Sequence, residues 1–136
     1  NLVNLKKIYL RGSRDLTEIP DLSKAEKLGS VSLGCCESLS QLHPSMLSLP
    51  RLTYLDLNFC RDIESVNVHL KSLRKLYLDS CSSLKEFSMT SEEMTHLSLS
   101  HSAISALSSS IWCNRKLTYL SLRGCRNLEK LSAGST

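Results

Sequence analysis

The sequence has few aromatics, glycines or prolines: 5% aromatic residues, five glycines and three prolines in 136 residues. With so little punctuation it contains no low-complexity tract and no linker, and no glycine-rich loop follows a strand before a helix to cradle phosphate. Charge of one sign is never concentrated. Seventeen Lys and Arg against thirteen Asp and Glu leave a net charge of +4, and the basic residues are scattered along the chain, so nucleic acid has no basic tract to bind. No apolar run is long enough to span a bilayer, and the first residues lack the charged-then-apolar layout of a signal peptide. No serine, cysteine or carboxylate has a base set beside it by spacing, so enzymatic activity is not expected. His96 and His101 lack a convergent acidic or thiol partner, and neither a metal site nor a cofactor is expected.

What the chain has instead is one spacing, repeated. In Leu73, Leu76, Leu78, Cys81, Leu84 and Phe87 the key residues fall at offsets zero, three, five, eight, eleven and fourteen, which fits neither a continuous helix nor a continuous strand. The pattern recurs from Leu5, Leu28, Leu52 and Leu117, and one residue shorter from Met94. The steps of 23, 24, 21, 21 and 23 residues lie within the leucine-rich-repeat period. An α/β fold is therefore expected: a leucine-rich-repeat solenoid of about six coils, with a parallel sheet on the concave face and an irregular or short helical convex side. Repeats start near 5, 28, 52, 73, 94 and 117, and residues 1–136 read as one repeat domain. Neither end carries a polar capping unit, so the domain reads as a piece of a larger chain.

Each repeat opens with a short strand whose offset-three and offset-five residues point inward while the residues flanking them point outward. Cys36, Cys60, Cys81 and Cys125 share offset eight, where the backbone turns inward; Ser13 and Ser102 stand there in the other two repeats. Spacing set by the repeat points to buried free thiols in a reducing compartment and away from a disulfide framework. Leu22, Met46 and Ile111 are expected as convex anchors. Irregular or short helical chain is expected around residues 21–27, 44–49 and 109–114, with Asp21 or Ser23 able to cap a helical turn in the first and Ser109 in the last. Ser91 stands where a leucine is expected before Met94, which should leave that repeat loosely packed.

These residues resemble the leucine-rich-repeat region of plant intracellular disease-resistance receptors of the class that carries a TIR domain and a nucleotide-binding domain. The resemblance rests on Ile19-Pro20-Asp21-Leu22-Ser23-Lys24-Ala25, on the Leu-x-Leu-x-x-Cys-x-x-Leu runs ending at Leu39, Ile63, Leu84 and Leu128, and on the short repeat from Leu97 to Ile104. It implies a cytoplasmic or nuclear protein-binding module. Its partners would be a pathogen effector or guarded host protein and the neighbouring domains of its own receptor, which it helps hold inactive. The alternative is a structural or oligomerisation element that docks only against its own chain. The departure from the pattern is the missing proline after Leu42, Val66, Phe87 and Leu107, which bears on the convex turns.

Recognition is expected on the concave positions that the repeat itself does not need: Lys7, Tyr9, Arg11, Tyr54, Asp56, Asn58, Lys75, Tyr77, Asp79, His96, Tyr119 and Arg123, with Phe59 at the rim. All four tyrosines fall there, and tyrosine and arginine are the side chains that most often anchor interfaces. The charges read as a mixed strip, basic at Lys7, Arg11, Lys75 and Arg123 and acidic at Asp56 and Asp79. Trp112 reads as convex packing, or as a contact with another domain.

Overall fold

The computed structural model describes residues 2–131. Ten short strands run in chain order: β1 (Lys7–Tyr9), β2 (Ser30–Ser32), β3 (Tyr54–Asp56), β4 (Ser65–Val68), β5 (Lys75–Tyr77), β6 (Glu86–Met89), β7 (His96–Ser98), β8 (Ala106–Leu107), β9 (Tyr119–Ser121) and β10 (Lys130–Leu131). Six of them form one parallel sheet in the order β1-β2-β3-β5-β7-β9, joined by five turns of the coil. The register pairs Ile8, Val31, Leu55, Leu76, Leu97 and Leu120 in succession, so the offset-three residues make one inward row. Val31, Leu33, Leu55, Leu57, Leu76, Leu78, Leu97 and Leu99 are fully buried, whereas Leu5, Ile8, Leu117, Leu120 and Leu122 in the outer coils are only partly covered. This is a one-dimensional stack in which each coil is buried by its neighbours.

Beyond the strands, the backbone stays in step. The residue at offset seven has positive φ in every repeat: Gly12 at 83°, Cys35 at 60°, Phe59 at 62°, Ser80 at 58°, His101 at 60° and Gly124 at 70°. This left-handed turn aims the amide along the stacking axis. Gly12, Cys35, Phe59, Ser80 and His101 each donate their N–H to the offset-six carbonyl of the next coil, at 2.7–2.8 Å. The extra hydrogen bond satisfies a group that the turn would otherwise bury unpaired. Leucine spacing does not disclose this column, because only two of its six members are glycine.

One residue later lies the cysteine row. Cys36, Cys60, Cys81 and Cys125 donate their S–H to the carbonyls of Leu10, Leu33, Leu57 and Leu99 in the preceding coil, at 3.0–3.3 Å. In the Met94 repeat the Ser102 hydroxyl takes the same offset and lies 3.5 Å from Cys125 Sγ. Burial pushes the Cys81 thiol up to about 12 and the Cys60 thiol higher still. Only the thiolate is nucleophilic. A short iodoacetamide pulse on the folded chain should therefore label exposed Cys113 and leave Cys60 and Cys81 unmodified, with all six labelled in denaturant. Peptide mass spectrometry reads the result, and equal labelling of Cys60 and Cys113 in the folded chain would contradict this packing.

The convex side departs from expectation in three places. Turns of 3-10 helix span Pro44–Ser48 and Ser109–Cys113, but residues 21–27 hold no helix. Asp21 Oδ1 instead accepts the Ser23 amide at 2.8 Å in a local turn, a pairing that holds the Asp21 carboxyl below its ordinary range. The cap of the last helical turn is Ser108, whose hydroxyl accepts the Ser110 amide, and not Ser109. In the two 21-residue repeats, β4 and β6 pair in parallel where irregular chain was expected. Val66, Val68 and Met89 bury their side chains while the residues between them are more exposed, the period of a half-buried strand. The anchors Leu22, Met46 and Ile111 are buried. Ser91 closes its gap by donating to the Leu73 carbonyl at 2.9 Å, and Met94 is fully buried.

Candidate functional site

Because the strands share one register, the outward residues form rows across the sheet. The first row runs Lys7, Ser30, Tyr54, Lys75, His96, Tyr119 and the second Tyr9, Ser32, Asp56, Tyr77, Ser98, Ser121. Arg11, Gly34, Asn58, Asp79, Ser100 and Arg123 follow at the next outward position. Rings meet across neighbouring coils: the Tyr54 and Tyr77 centroids are 5.8 Å apart and tilted, and His96 stacks on Tyr119 at 5.9 Å. Such pairs restrict ring motion before any partner arrives. Tyr9 is 76% exposed and Tyr119 49%, while Tyr54 and Tyr77 are half-buried. Burial, helped by the nearby Asp56 charge, raises the phenol of Tyr54; burial and then charge repulsion from the Tyr119 phenol oxygen raise that of Tyr77. Both stay protonated at neutral pH and can donate a hydrogen bond.

The carboxylates behave differently from the expected mixed strip. Asp56 is 5% exposed, because its oxygens are occupied from three sides. Oδ2 accepts from Arg11 Nη1 at 3.2 Å and from the Ser32 hydroxyl at 3.3 Å, and Oδ1 accepts the Asn58 amide at 2.9 Å. Arg11 reaches it from two coils away by passing over Gly34, where an added Cβ would lie 2.5 Å from Nη1. Asp79 Oδ1 accepts from the Ser98 hydroxyl and from the Ser100 amide, and the Asp79 amide donates to Asn58 Oδ1 at 2.8 Å. Asp56 thus belongs to the floor of the face and not to its surface. Lys7, Lys75 and Arg123 are exposed, so the side chains that project are rings and cations.

Phe59 is 39% exposed and stands at the rim of the sheet, outside the strand rows. The sequence does identify the rows, but nothing in strand alternation says that Arg11 crosses to Asp56. The clue was Gly34, the one outward position without a side chain between them. Among the described residues no group of three or more His, Cys, Asp and Glu converges as metal ligands. His96 Nδ1 lies 2.9 Å from the Thr95 hydroxyl, a local contact within one strand end. Nor is any helix of the described residues long and apolar enough to cross a membrane.

No family model matches the chain. It is 32% identical over 133 residues to the Arabidopsis thaliana disease resistance protein RML1A, covering 96% of the chain and 13% of that protein. It is 39% identical over 130 residues to the Arabidopsis protein SUPPRESSOR OF npr1-1, CONSTITUTIVE 1, covering 94% of the chain and 9% of that protein. The Arabidopsis disease resistance protein RPP5 is 36% identical over 131 residues, 95% of the chain and 9% of its own length. The chain therefore spans about a tenth of the length of these relatives. Among solved structures, the leucine-rich repeat domain of the type III effector XopL aligns over 92% of the chain with a TM-score of 0.40 and 18% identity.

Proposed function

From its homology to Arabidopsis disease resistance proteins over nearly its whole length, we infer that the chain is the protein-binding repeat module of an intracellular plant immune receptor of the TIR type. It contributes surface complementarity and no chemistry. The observation that carries this reading is the concave face: paired rings and exposed cations projecting from a floor already fixed by hydrogen bonds. A face ordered in advance loses little freedom on binding, which leaves more of the contact energy as affinity. We propose that Tyr9, Tyr54, Tyr77 and Tyr119, with Lys7, Lys75, His96 and Arg123, contact a pathogen effector or a guarded host protein. Arg11, Asp56, Asn58 and Asp79 hold the floor beneath them.

The same face can serve a second role, restraint of the receptor's nucleotide-binding domain, and one experiment separates the two. Tyr54, Tyr77 and Tyr119 are replaced together by alanine in the intact receptor, and the defence response is followed in plant cells. Loss of response at normal protein level is the expected result. Constitutive response assigns the face to restraint, and an unchanged response excludes it from both roles. The purely structural alternative, docking against its own chain, has its best anchor in Trp112, 41% exposed on the convex side.

A further inference from the structure

Glycine is the residue that occupies a left-handed backbone at no cost, and other residues held there are strained by their Cβ. The offset-seven column accepts glycine, as Gly12 and Gly124 demonstrate, yet Cys35, Phe59, Ser80 and His101 on four successive coils carry side chains at φ near +60°. The amide bond to the next coil holds this backbone in place, and strained residues of this kind cluster at ligand clamps. Three of the four, Phe59, Ser80 and His101, open onto one shallow cleft at the rim of the sheet, of about 540 Å3, which Arg61 and Ser82 complete.

The cleft has a definite chemistry. Phe59 supplies an exposed apolar wall, Arg61 a cation with a forked set of donors, and Ser80 and Ser82 hydroxyls. The His101 ring is bedded on Gly124: a Cβ added there would lie 2.2 Å from His101 Nδ1, so the absent side chain makes room for the imidazole. No carboxylate lines the cleft. Of the two carboxylates next to lining residues in sequence, Asp79 is bound to the Ser98 hydroxyl and the Ser100 amide, and Asp62, which follows Arg61, is exposed and is not among the lining residues. A planar guanidinium beside hydroxyls and a phenyl wall matches a carboxylate next to an apolar side chain.

We propose that this rim cleft binds an acidic segment of a partner protein, a Glu or Asp side chain seated on Arg61 with a neighbouring apolar residue against Phe59. The site is separate from the tyrosine rows and does not depend on their role. The test titrates the isotopically labelled chain with acetyl-Phe-Glu-Phe-amide and acetyl-Phe-Gln-Phe-amide and follows the backbone amides. The Glu peptide should shift residues 59, 61, 80, 82 and 101, and the Gln peptide should bind about tenfold more weakly, the difference between a charge-assisted and a neutral hydrogen bond. Phe59→Gly and His101→Gly should each weaken Glu-peptide binding about tenfold or more while melting at an unchanged or higher temperature, since glycine relieves the strained backbone. Equal binding of the two peptides, shifts elsewhere on the chain, or undiminished binding by both glycine variants would overturn the proposal. So would a lowered melting temperature in both variants, because the side chains would then be structural. The Tyr54/Tyr77/Tyr119 triple alanine variant should bind the Glu peptide normally; loss of binding there would move the contact to the concave rows.

Discussion

Leu76→Ala should lower the stability of the chain by about 2–5 kcal/mol, the usual cost of emptying a leucine site in a close-packed core. Leu76 is fully buried at the centre of the inward row, with Leu55 of one neighbouring coil and Leu97 of the other beside it in register. Stacked coils have no second core to absorb the loss, so the cavity weakens two coil-to-coil contacts at once. For a chain of this size each kcal/mol corresponds to about 3–5 °C, and the melting midpoint should fall by roughly 6–25 °C. Thermal denaturation followed by circular dichroism measures it. Tyr119→Ala, at a largely exposed site, serves as the control and should change stability little. A Leu76→Ala midpoint equal to that control would mean that the leucine register is wrong.

Asp56→Ala is expected to cost about 1–3 kcal/mol, although Asp56 stands at a position that alternation marks as outward. Its removal leaves the Ser32 hydroxyl, the Asn58 amide and the Arg11 guanidinium without their shared acceptor. Arg11→Ala should cost less, because the arginine side chain is 43% exposed and water replaces much of what it loses. The double variant should be less destabilised than the sum of the two, since the residues share one interaction. Gly34→Ala offers an independent route to the same effect by pushing Nη1 away from the carboxylate. Denaturant melts of the four variants decide the matter, and strict additivity of Asp56→Ala with Arg11→Ala would show that the bridge contributes nothing.

How far the sequence disclosed this molecule depends on what kind of information each feature needs. The inward row, the convex anchors and the outward rows follow from offsets within one repeat, and Leu55, Leu76, Leu97, Leu22, Met46 and Ile111 are all buried where those offsets put them. Features that arise between coils were not legible. Arg11 reaches Asp56 across an intervening coil, a contact 45 residues apart in the chain. The offset-seven turn is enforced by an amide bonding to the next coil, which holds Phe59 and His101 in a conformation their own preferences disfavour. Gly12 and Gly124, at one offset in the first and last repeats, were the available pointer to that column. The β4 and β6 strands went unread because four-residue segments such as Ser65–Val68 carry too little pattern to separate from loop.

The thiol row gives the stack a direction in time. Cys36, Cys60, Cys81 and Cys125 each close a carbonyl belonging to the coil made before theirs, so those four earlier coils are finished only when their successors arrive. A ribosome adding about 5–20 residues per second takes on the order of seconds per repeat, while local chain closure takes about 10 μs or less. Each coil can therefore dock before the next is synthesised. For these four carbonyls the chain supplies the closing thiol in the order of synthesis, each donor coming from the repeat made next.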